Sequence, residues 1–179
     1  MTLEGLLAGG VVEAARGILG RRLDTRIAGR PTAVVLTEVE AYGGGDDPAS
    51  HAHRGPSRRN RSMFGPPGTL YVYRSYGIHW CMNVVVGPEG SPGAVLLRAG
   101  VPMAGVEFMA ARRGRPDHLT DGPGKLAQAL GVSGELDGST VTGGPVLLGE
   151  VVSTGPIVAG PRVGIRRAAT RPWRFVLDL

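Results

Sequence analysis

The sequence predicts a single α+β domain that covers residues 1–179. A chain of 179 residues with 42% hydrophobic content is long enough for one domain with one core. Patterns typical of strands and of helices both occur along the chain. Because they do not alternate regularly, they favour an α+β fold over a doubly wound α/β fold.

The first predicted element is an N-terminal helix over residues 6–19. Apolar residues recur there at helical spacing, although Gly9 and Gly10 weaken the pattern. A short strand is then expected at Leu23–Ile27, just before the turn residues Gly29 to Pro31.

The most informative element is the strand predicted at Ala33–Tyr42. Its first four residues are all apolar, which indicates burial on both faces. Alternation then places Glu38, Glu40 and Tyr42 on one face. Burial beside a like charge raises the pKa of a carboxylate and lets it act as a general acid or base. The alternative is that both glutamates lie in water at the end of the strand.

A β-hairpin is predicted next, and it concentrates the tyrosines of the chain. Tyr71 and Tyr73 share one face of its first strand, and Tyr76 lies near the tip beside a glycine. Aromatic residues make up only 5% of the chain, so this cluster is informative. An exposed ring at a hairpin tip can insert between stacked bases, whereas rings along a strand can simply cover the sheet. The two strands are Thr69–Tyr73 and Ile78–Val86.

The remaining predicted elements are short. A helix begins after the Gly-Pro-Gly at residues 122–124. This segment is not a P-loop, because Leu119 and Leu126 stand where glycine and Ser/Thr are required. The predicted ranges are a strand at Ala94–Arg98, helices at Met103–Arg113 and Lys125–Leu130, and strands at Val146–Leu148 and Phe175–Leu177.

The charge pattern indicates an anionic partner. The net charge is +5, and Lys125 is the only lysine among 20 basic residues. Arginine suits phosphate and base edges, although a GC-rich genome also favours it. Two runs contain no acid, and each alone fits a solvated surface, but together they flank the aromatic hairpin and favour phosphate binding. The runs hold Arg54, Arg58, Arg59 and Arg61, and five arginines from Arg162 to Arg174.

Cysteine content and hydropathy predict a reducing, cytoplasmic location. Cys81 is the only cysteine, so an intrachain disulfide cannot form. Charged residues interrupt the apolar N-terminal stretches, which argues against a secretory signal. No run approaches the ~18 apolar residues of a membrane span, so no membrane association is expected.

Four residues form a candidate zinc set, His51, His53, His79 and Cys81. Their chemistry suits zinc, but their spacings match no standard zinc pattern. The H-x-E and P-C-x-x-C motifs of base-flipping zinc deaminases are absent. A metal-dependent hydrolase is therefore an alternative, and the favoured expectation is that no metal or cofactor is needed.

Several long segments match, in order, the motifs of one family. They are Glu38–Tyr42 with the spacing to His51, Arg59–Phe64, Gly65–Tyr73, Tyr76–Gly77, Trp80–Asn83, Val95–Ala99 and Gly122–Leu130. In these segments the chain resembles the alkyladenine (3-methyladenine) DNA glycosylases of the mammalian type, which also occur in bacteria. The resemblance covers nearly the whole chain. It implies one compact domain with a curved, mainly antiparallel β-sheet core, flanking helices and a protruding β-hairpin.

The resemblance implies a hydrolytic role for two residues. Glu40 would be the general base that orients and deprotonates water, and Arg98 would help to hold that water. Departure of the base leaves an oxocarbenium-like sugar, which a nearby carboxylate stabilises. With water as the nucleophile, the enzyme would be monofunctional and leave an abasic site. The scarcity of lysine supports this, since amine nucleophiles act through Schiff bases.

The resemblance also implies a pocket for an extruded base. Tyr42 and Tyr73 would sandwich the base, with His51 as a third wall and hydrogen-bonding partner. Asn83 would exclude normal guanine by clashing with its 2-amino group. Tyr76 would enter the minor groove and fill the gap left by the flipped nucleotide, because a base inside a duplex cannot be reached by an enzyme.

The expected partner is double-stranded DNA that contains a damaged purine. Its backbone would be contacted by Arg54, Arg58, Arg59 and Arg61. The protein is expected to act as a monomer in base excision repair. The lesion range stays open among 3-methyladenine, 7-methylguanine, hypoxanthine and ethenoadenine. The alternative function is a nucleic-acid-binding module without catalytic activity. That alternative leaves Glu38 and Glu40 unexplained beside an anionic ligand. Two departures from the family pattern are His79, where some relatives carry a bulky aromatic, and a loose match over Arg162–Arg171.

Overall fold

The computed structural model describes residues 1–179. Its strands, which are distributed along most of the chain, form a single eight-stranded β-sheet. Four α-helices accompany eight strands, which confirms the predicted α+β class. The helices are α1 (Leu3–Leu7), α2 (Val11–Ile18), α3 (Val106–Arg113) and α4 (Pro123–Leu130). The strands are β1 (Arg21–Ile27), β2 (Arg30–Tyr42), β3 (Leu70–Ser75), β4 (His79–Val85), β5 (Ala94–Ala104), β6 (Val146–Val151), β7 (Ile157–Gly160) and β8 (Arg174–Leu177).

All strand pairs are antiparallel, and β2 is the strand on which the sheet is centred. The main order is β3-β4-β5-β2-β1-β6, and β8 pairs with both β2 and β7. One edge of β2 pairs with β5 along most of its length. The other edge pairs first with β1, up to Val35, and then with β8 from Glu38 to Glu40. The second half of β2 therefore lies where three strands meet.

The core confirms the burial predicted for the start of β2. Ala33, Val34, Val35 and Leu36 are at most 7% exposed, and Val34 and Leu36 pack in a cluster with the apolar faces of α2 and α4. This burial holds β2, a central strand of the sheet, against the helices. The position of the residues that follow, up to Tyr42, is therefore set by a rigid element rather than by a loop.

The N-terminal helical region is two helices rather than one. The predicted range 6–19 is interrupted at Ala8 to Gly10, and Gly10 is the N-cap residue of α2. Glycine lowers helix stability by exposing the backbone and by its conformational freedom, which explains the break. None of the helices in the structure combines the length and apolar character that a membrane span requires.

The helix predicted at Met103–Arg113 begins later than expected, at Val106. Met103 belongs to β5, which continues to Ala104 because Ala104 pairs with Ala33 of β2. Gly105 then makes the turn with φ of 70°. A Cβ atom at this position would lie 2.2 Å from the carbonyl oxygen of Pro31, so only glycine fits.

One short strand, β7, was not predicted. It has four residues and is followed by Pro161, and its apolar pattern is too brief to distinguish from a loop. It is ordered by pairing with β8, where Ile157 lies opposite Leu177. The strand therefore depends on a partner distant in sequence rather than on its own residues.

The outer edge of the sheet at β3 is covered by the segment 137–139. The Val72 amide donates to Asp137 Oδ1 at 2.9 Å, and the Leu70 amide donates to the Ser139 carbonyl at 2.7 Å. The Gly138 amide donates back to the Leu70 carbonyl at 2.8 Å. Leu70 and Val72, in the first half of β3, thus have backbone partners on the side away from β4.

Gly105→Ala should destabilise the protein by about 2–4 kcal/mol, because backbone strain adds to a clash with the Pro31 carbonyl. Gly29→Ala is the matched control, since Gly29 has a similar φ of 69° but open space around it. It should cost only about 1 kcal/mol. Urea unfolding of both variants measures the difference, and equal losses would contradict the steric explanation.

Candidate active site

A cavity of about 450 Å³ opens beside the end of β2, within the usual size range of small-molecule sites. Its wall combines aromatic rings, arginines and small apolar residues from four strands, two loops and the start of α4. The lining residues are Tyr42, Ala49, His51, Arg59, Met63, Tyr71, Tyr73, Arg74, Ser75, Tyr76, Cys81, Asn83, Ala94, Leu96, Arg98, Pro123, Val163, Gly164 and Ile165.

Glu40 lies one layer behind this wall and is 0% exposed, so the alternative that it lies in water is wrong. Its Oε2 accepts the Tyr42 hydroxyl at 2.8 Å. Its Oε1 accepts the Val163 amide at 2.7 Å and lies 3.4 Å from Arg98 Nη1. All three partners line the cavity, and together they compensate a buried negative charge.

Glu38 and Glu40 meet at Arg98, as their shared strand face predicts. Arg98 Nε donates to Glu38 Oε1 at 2.8 Å, and Arg174 Nε donates to the same oxygen at 2.7 Å. Desolvation would raise the pKa of Glu38, but the hydrogen bonds from Arg174 and Arg98 outweigh it and hold the pKa below its usual range. The expected rise beside a like charge is therefore wrong for Glu38, because two guanidinium groups intervene.

An aromatic wall is formed by two tyrosines of β3 and by His51 in the loop after β2. The ring centroids of Tyr71 and Tyr73 are 5.6 Å apart with planes inclined by 29°, and His51 meets Tyr73 edge-on at 4.6 Å. His51 Nδ1 lies 2.9 Å from the Tyr71 hydroxyl. Burial raises the pKa of Tyr71 to about 12 and also raises that of Tyr73, so both phenols stay neutral. Tyr71 thus packs in the sheet and also lines the cavity.

The histidine of this wall is held neutral. Desolvation against the tyrosines, together with the positive charge of Arg59, lowers the pKa of His51. Solvent still reaches the ring at the mouth of the cavity. A neutral His51 adds no positive charge to the cavity, so it does not repel a cationic ligand.

Tyr42 and Asn83 complete the wall. The guanidinium carbon of Arg162 lies 4.6 Å from the Tyr42 ring centroid, and the Tyr42 hydroxyl is bound to Glu40. Asn83 is 4% exposed, and its Nδ2 donates to the Tyr71 carbonyl at 3.1 Å. The structure therefore brings the predicted pocket residues, which include His51 and Tyr73, around one cavity.

Tyr76 stands at the tip of the β3–β4 hairpin and is 90% exposed. Tyr76 and Gly77 have φ values of 50° and 67°, and the Ile78 amide donates to the Ser75 carbonyl at 2.9 Å. Positive φ at two consecutive central positions is a feature of I′ turns, which favour Asn-Gly. A bulky residue with positive φ is strained by about 1–3 kcal/mol, and such strain is concentrated at functional sites. The exposed, strained ring is therefore a candidate contact with a ligand.

The predicted basic surfaces are only partly free. Arg54, Arg58, Arg59 and Arg61 are all exposed, and Arg59 also lines the cavity. The C-terminal run is different, because three of its five arginines bind internal partners. Arg162 is buried against Asp47, Arg171 donates to the Asp46 carbonyl, and Arg174 binds Glu38. Only Arg166 and Arg167 of this run are exposed, so phosphate binding by the run stays a prediction for these two residues alone.

The four potential zinc ligands do not form a cluster. The structure has no group of three or more His, Cys, Asp or Glu side chains that could hold a metal ion. His51 binds Tyr71, and His53 Nδ1 lies 2.7 Å from the Gly45 carbonyl. Burial raises the pKa of the Cys81 thiol, which disfavours the thiolate that zinc binds. The arrangement gives no support to the metal-dependent alternative.

The segment 162–165 was missed by the sequence analysis. It supplies the Val163 amide to Glu40, and Val163, Gly164 and Ile165 line the cavity. The match of this region to family motifs is loose, and its arginines resemble a surface run. A backbone amide leaves no sequence signal, so its contribution could be found only from the fold.

A cavity that combines flat aromatic walls with a compensated, buried carboxylate is typical of a hydrolase site for a planar base. Comparison with known proteins identifies the family to which this hydrolase-like site belongs. The family model described as methylpurine-DNA glycosylase matches residues 6–178. The chain belongs to this family and is a DNA glycosylase, a hydrolase of N-glycosidic bonds, as the motifs indicate.

Curated relatives are similar in sequence to this protein over most of its length. A protein of Frankia casuarinae is 53% identical over 162 residues, covering 82% of this chain and 76% of its own. Relatives from Nitrosospira multiformis and Rhodococcus jostii are 45% and 47% identical, and they cover 93% and 98% of this chain. Each of the three carries the name "Putative 3-methyladenine DNA glycosylase".

His51→Asn should make the protein less sensitive to acid. The pKa of His51 is lowered in the folded state, so the unfolded chain takes up the proton first as the pH falls. The stability that depends on neutral His51 is present above about pH 6.5 and is lost as the pH falls below it. Urea midpoints at pH 7.5 and pH 5 should therefore differ less in this variant than in the wild type. His53→Asn is the control, and parallel changes in all three proteins would contradict the prediction.

Proposed function

We propose that this protein is a monofunctional DNA glycosylase that flips alkylated purines out of double-stranded DNA and releases them by hydrolysis. The observation that carries the proposal is the buried Glu40 carboxylate, held by two hydrogen bonds and one ion pair directly behind an aromatic cavity. The relatives named for 3-methyladenine support this base as a substrate. We extend the range to 7-methylguanine, and hypoxanthine and ethenoadenine are further candidates.

The aromatic wall suits an alkylated purine. Methylation at N3 or N7 makes the base cationic, and tyrosine faces attract a cation by about 0.5–2 kcal/mol. In the proposed complex the base enters between Tyr42 and Tyr73, and His51 contacts its edge. Asn83 at the cavity wall then excludes guanine by a clash with the 2-amino group.

Hydrolysis is assigned to a water bound to Glu40. A carboxylate offers about four lone-pair positions. The Val163 amide occupies one position on Oε1, which also faces the Arg98 guanidinium at 3.4 Å, and the Tyr42 hydroxyl occupies one position on Oε2. The second position on Oε2 is the proposed site of the water. Because Glu40 is fully buried, water must reach it through the layer formed by Tyr42, Arg98 and Val163.

The position of the only lysine supports water over an amine as nucleophile. Lys125 and the N-terminal amine are the only amines that could act as the nucleophile. Lys125 forms an ion pair with Asp121 at 3.0 Å, and neither Lys125 nor Met1 lines the cavity. A Schiff base needs an amine in contact with the sugar carbon. The proposed product is therefore an abasic site with an intact DNA strand.

The exposed elements around the cavity suit the DNA partner. Tyr76 is proposed to fill the gap in the duplex, with the exposed arginines of residues 54–61 on the phosphates. We also propose that the protein acts as a monomer in the reducing cytoplasm, without membrane contact. The free thiol of Cys81 is compatible with that location.

Glu40→Gln should retain affinity for lesion DNA and lose base release by at least about 10²–10⁴-fold, because the general base is removed. Methylated duplex DNA is incubated with each protein, and chromatography of the released bases measures the activity. Glu107→Gln, on α3, is the matched control and should behave as the wild type. Normal release by Glu40→Gln would remove the assignment, and binding without release by the wild type would favour the non-catalytic alternative.

Tyr76→Asn should stabilise the protein while impairing its function. Asparagine tolerates positive φ, so the variant should gain roughly 0.5–1 kcal/mol of unfolding free energy. It lacks the ring that fills the gap, so single-turnover release from a paired lesion should fall, with less effect on an unpaired one. Urea unfolding and base release are measured on the same preparation. A stable variant with unchanged activity on paired DNA would show that Tyr76 does not fill the gap left by the flipped nucleotide.

A further inference from the structure

Asp47 and Arg162 form a buried ion pair behind the groups proposed to do the chemistry. Both side chains are 0% exposed, and neither lines the cavity. Arg162 Nη1 donates to Asp47 Oδ2 at 2.6 Å, and Nη2 donates to Oδ1 at 2.8 Å. Desolvation would raise the pKa of Asp47, but the hydrogen bonds from Arg162 and from the Gly43 amide hold it below its usual range. The pair is therefore charged and bidentate.

The guanidinium reaches the strand that carries Glu40 and Tyr42. Arg162 Nη1 also donates to the carbonyl of Ala41, the residue between them, at 2.9 Å. Its guanidinium carbon lies 4.6 Å from the Tyr42 ring centroid. Because Tyr42 lines the cavity and Arg162 does not, the guanidinium supports the ring from behind.

The residue after Arg162 completes the connection. The Val163 amide donates to Glu40 Oε1 at 2.7 Å, so fixing Arg162 also fixes this donor. Asp47 is held in turn by the amides of Gly43 and Ala49, at 2.9 and 3.2 Å. One ion pair thus ties the loop after β2 to the C-terminal segment across the back of the site.

We propose that Arg162, held by Asp47, is a positioning residue for base release. It contacts neither base nor water, and it acts by fixing the Glu40 carboxylate through the Val163 amide and the Tyr42 ring through stacking. The inference rests on the roles proposed above for Glu40 and Tyr42. Small misplacements of reacting groups cost about 10²-fold in rate. Affinity for the DNA is assigned mainly to the exposed hairpin tip and the arginines of residues 54–61, none of which contacts Arg162.

The test uses the full chain and methylated duplex DNA, with 3-methyladenine release followed at saturating excess of enzyme. Arg162→Met should lower the single-turnover rate by about 10²-fold. Its affinity for the same DNA, measured in a Glu40→Gln background to prevent turnover, should change less than about threefold. Arg162→Lys keeps the charge but not the bidentate geometry, so it should recover part of the rate.

Two further variants separate positioning from folding. The paired change Asp47→Asn with Arg162→Gln removes both buried charges together and should lower the rate as Arg162→Met does. Arg112→Met is the matched control, because Arg112 binds the carbonyls of Ile27 and Ala129 and does not line the cavity. It should reduce the urea midpoint without changing the rate. Near-ultraviolet circular dichroism at the assay temperature confirms folding.

The outcomes are distinguishable. Wild-type rates in the paired variant, with Glu40→Gln inactive, would overturn the role of Arg162. Equal losses of rate and affinity in Arg162→Met, or a rate loss of the same size in Arg112→Met, would also overturn it by showing a general structural effect. Normal release by Glu40→Gln would instead overturn the proposed function on which the inference rests.

Discussion

The burial of the Glu40 charge is the constraint around which the rest of the structure is arranged. An unpaired buried carboxylate costs several kcal/mol, so donors must converge on it from whichever parts of the chain can reach it. Arg98 comes from β5, the Tyr42 hydroxyl from the same strand, and the Val163 amide from 123 residues further along the chain. The order of strands beside β2 and the return of the C-terminal segment both satisfy this requirement.

The strand that pairs with β2 changes from β1 to β8 along its length, and this change separates the charged residues of β2 from the hydrophobic core. Where β1 pairs with it, β2 is buried and apolar from Ala33 to Val35, and where β8 replaces β1, it carries acidic side chains. The pairing with β5 becomes irregular at Glu38, where Val176 of β8 lies opposite, and β8 begins at Arg174 opposite Glu40. Two carboxylates and two guanidinium groups, Glu38, Glu40, Arg98 and Arg174, thus balance in charge at the point where the strand passes from core to cavity.

The parts of the fold that depend on near neighbours could be predicted from the sequence. The apolar start of β2, the shared face of Glu40 and Tyr42, and the hairpin tip all follow from alternation and turn residues. The rest depends on contacts that sequence does not show. Arg162 belongs to an apparent surface run, yet it is buried against a residue 115 positions away. The start of α3 is set by the Pro31 carbonyl opposite Gly105, and no local pattern reports that approach.

The covered edge of β3 has a consequence for behaviour in solution. A hairpin at the end of a sheet normally offers unpaired amides to other chains, and this one also carries exposed apolar residues at its tip, Tyr76 and Ile78. The segment 137–139 occupies the amides of Leu70 and Val72 from within the same molecule. The hairpin can therefore expose apolar residues at its tip while the covered part of its edge strand offers no unpaired amides to another chain. Intermolecular strand pairing is disfavoured there, and the exposed apolar surface is limited to the tip.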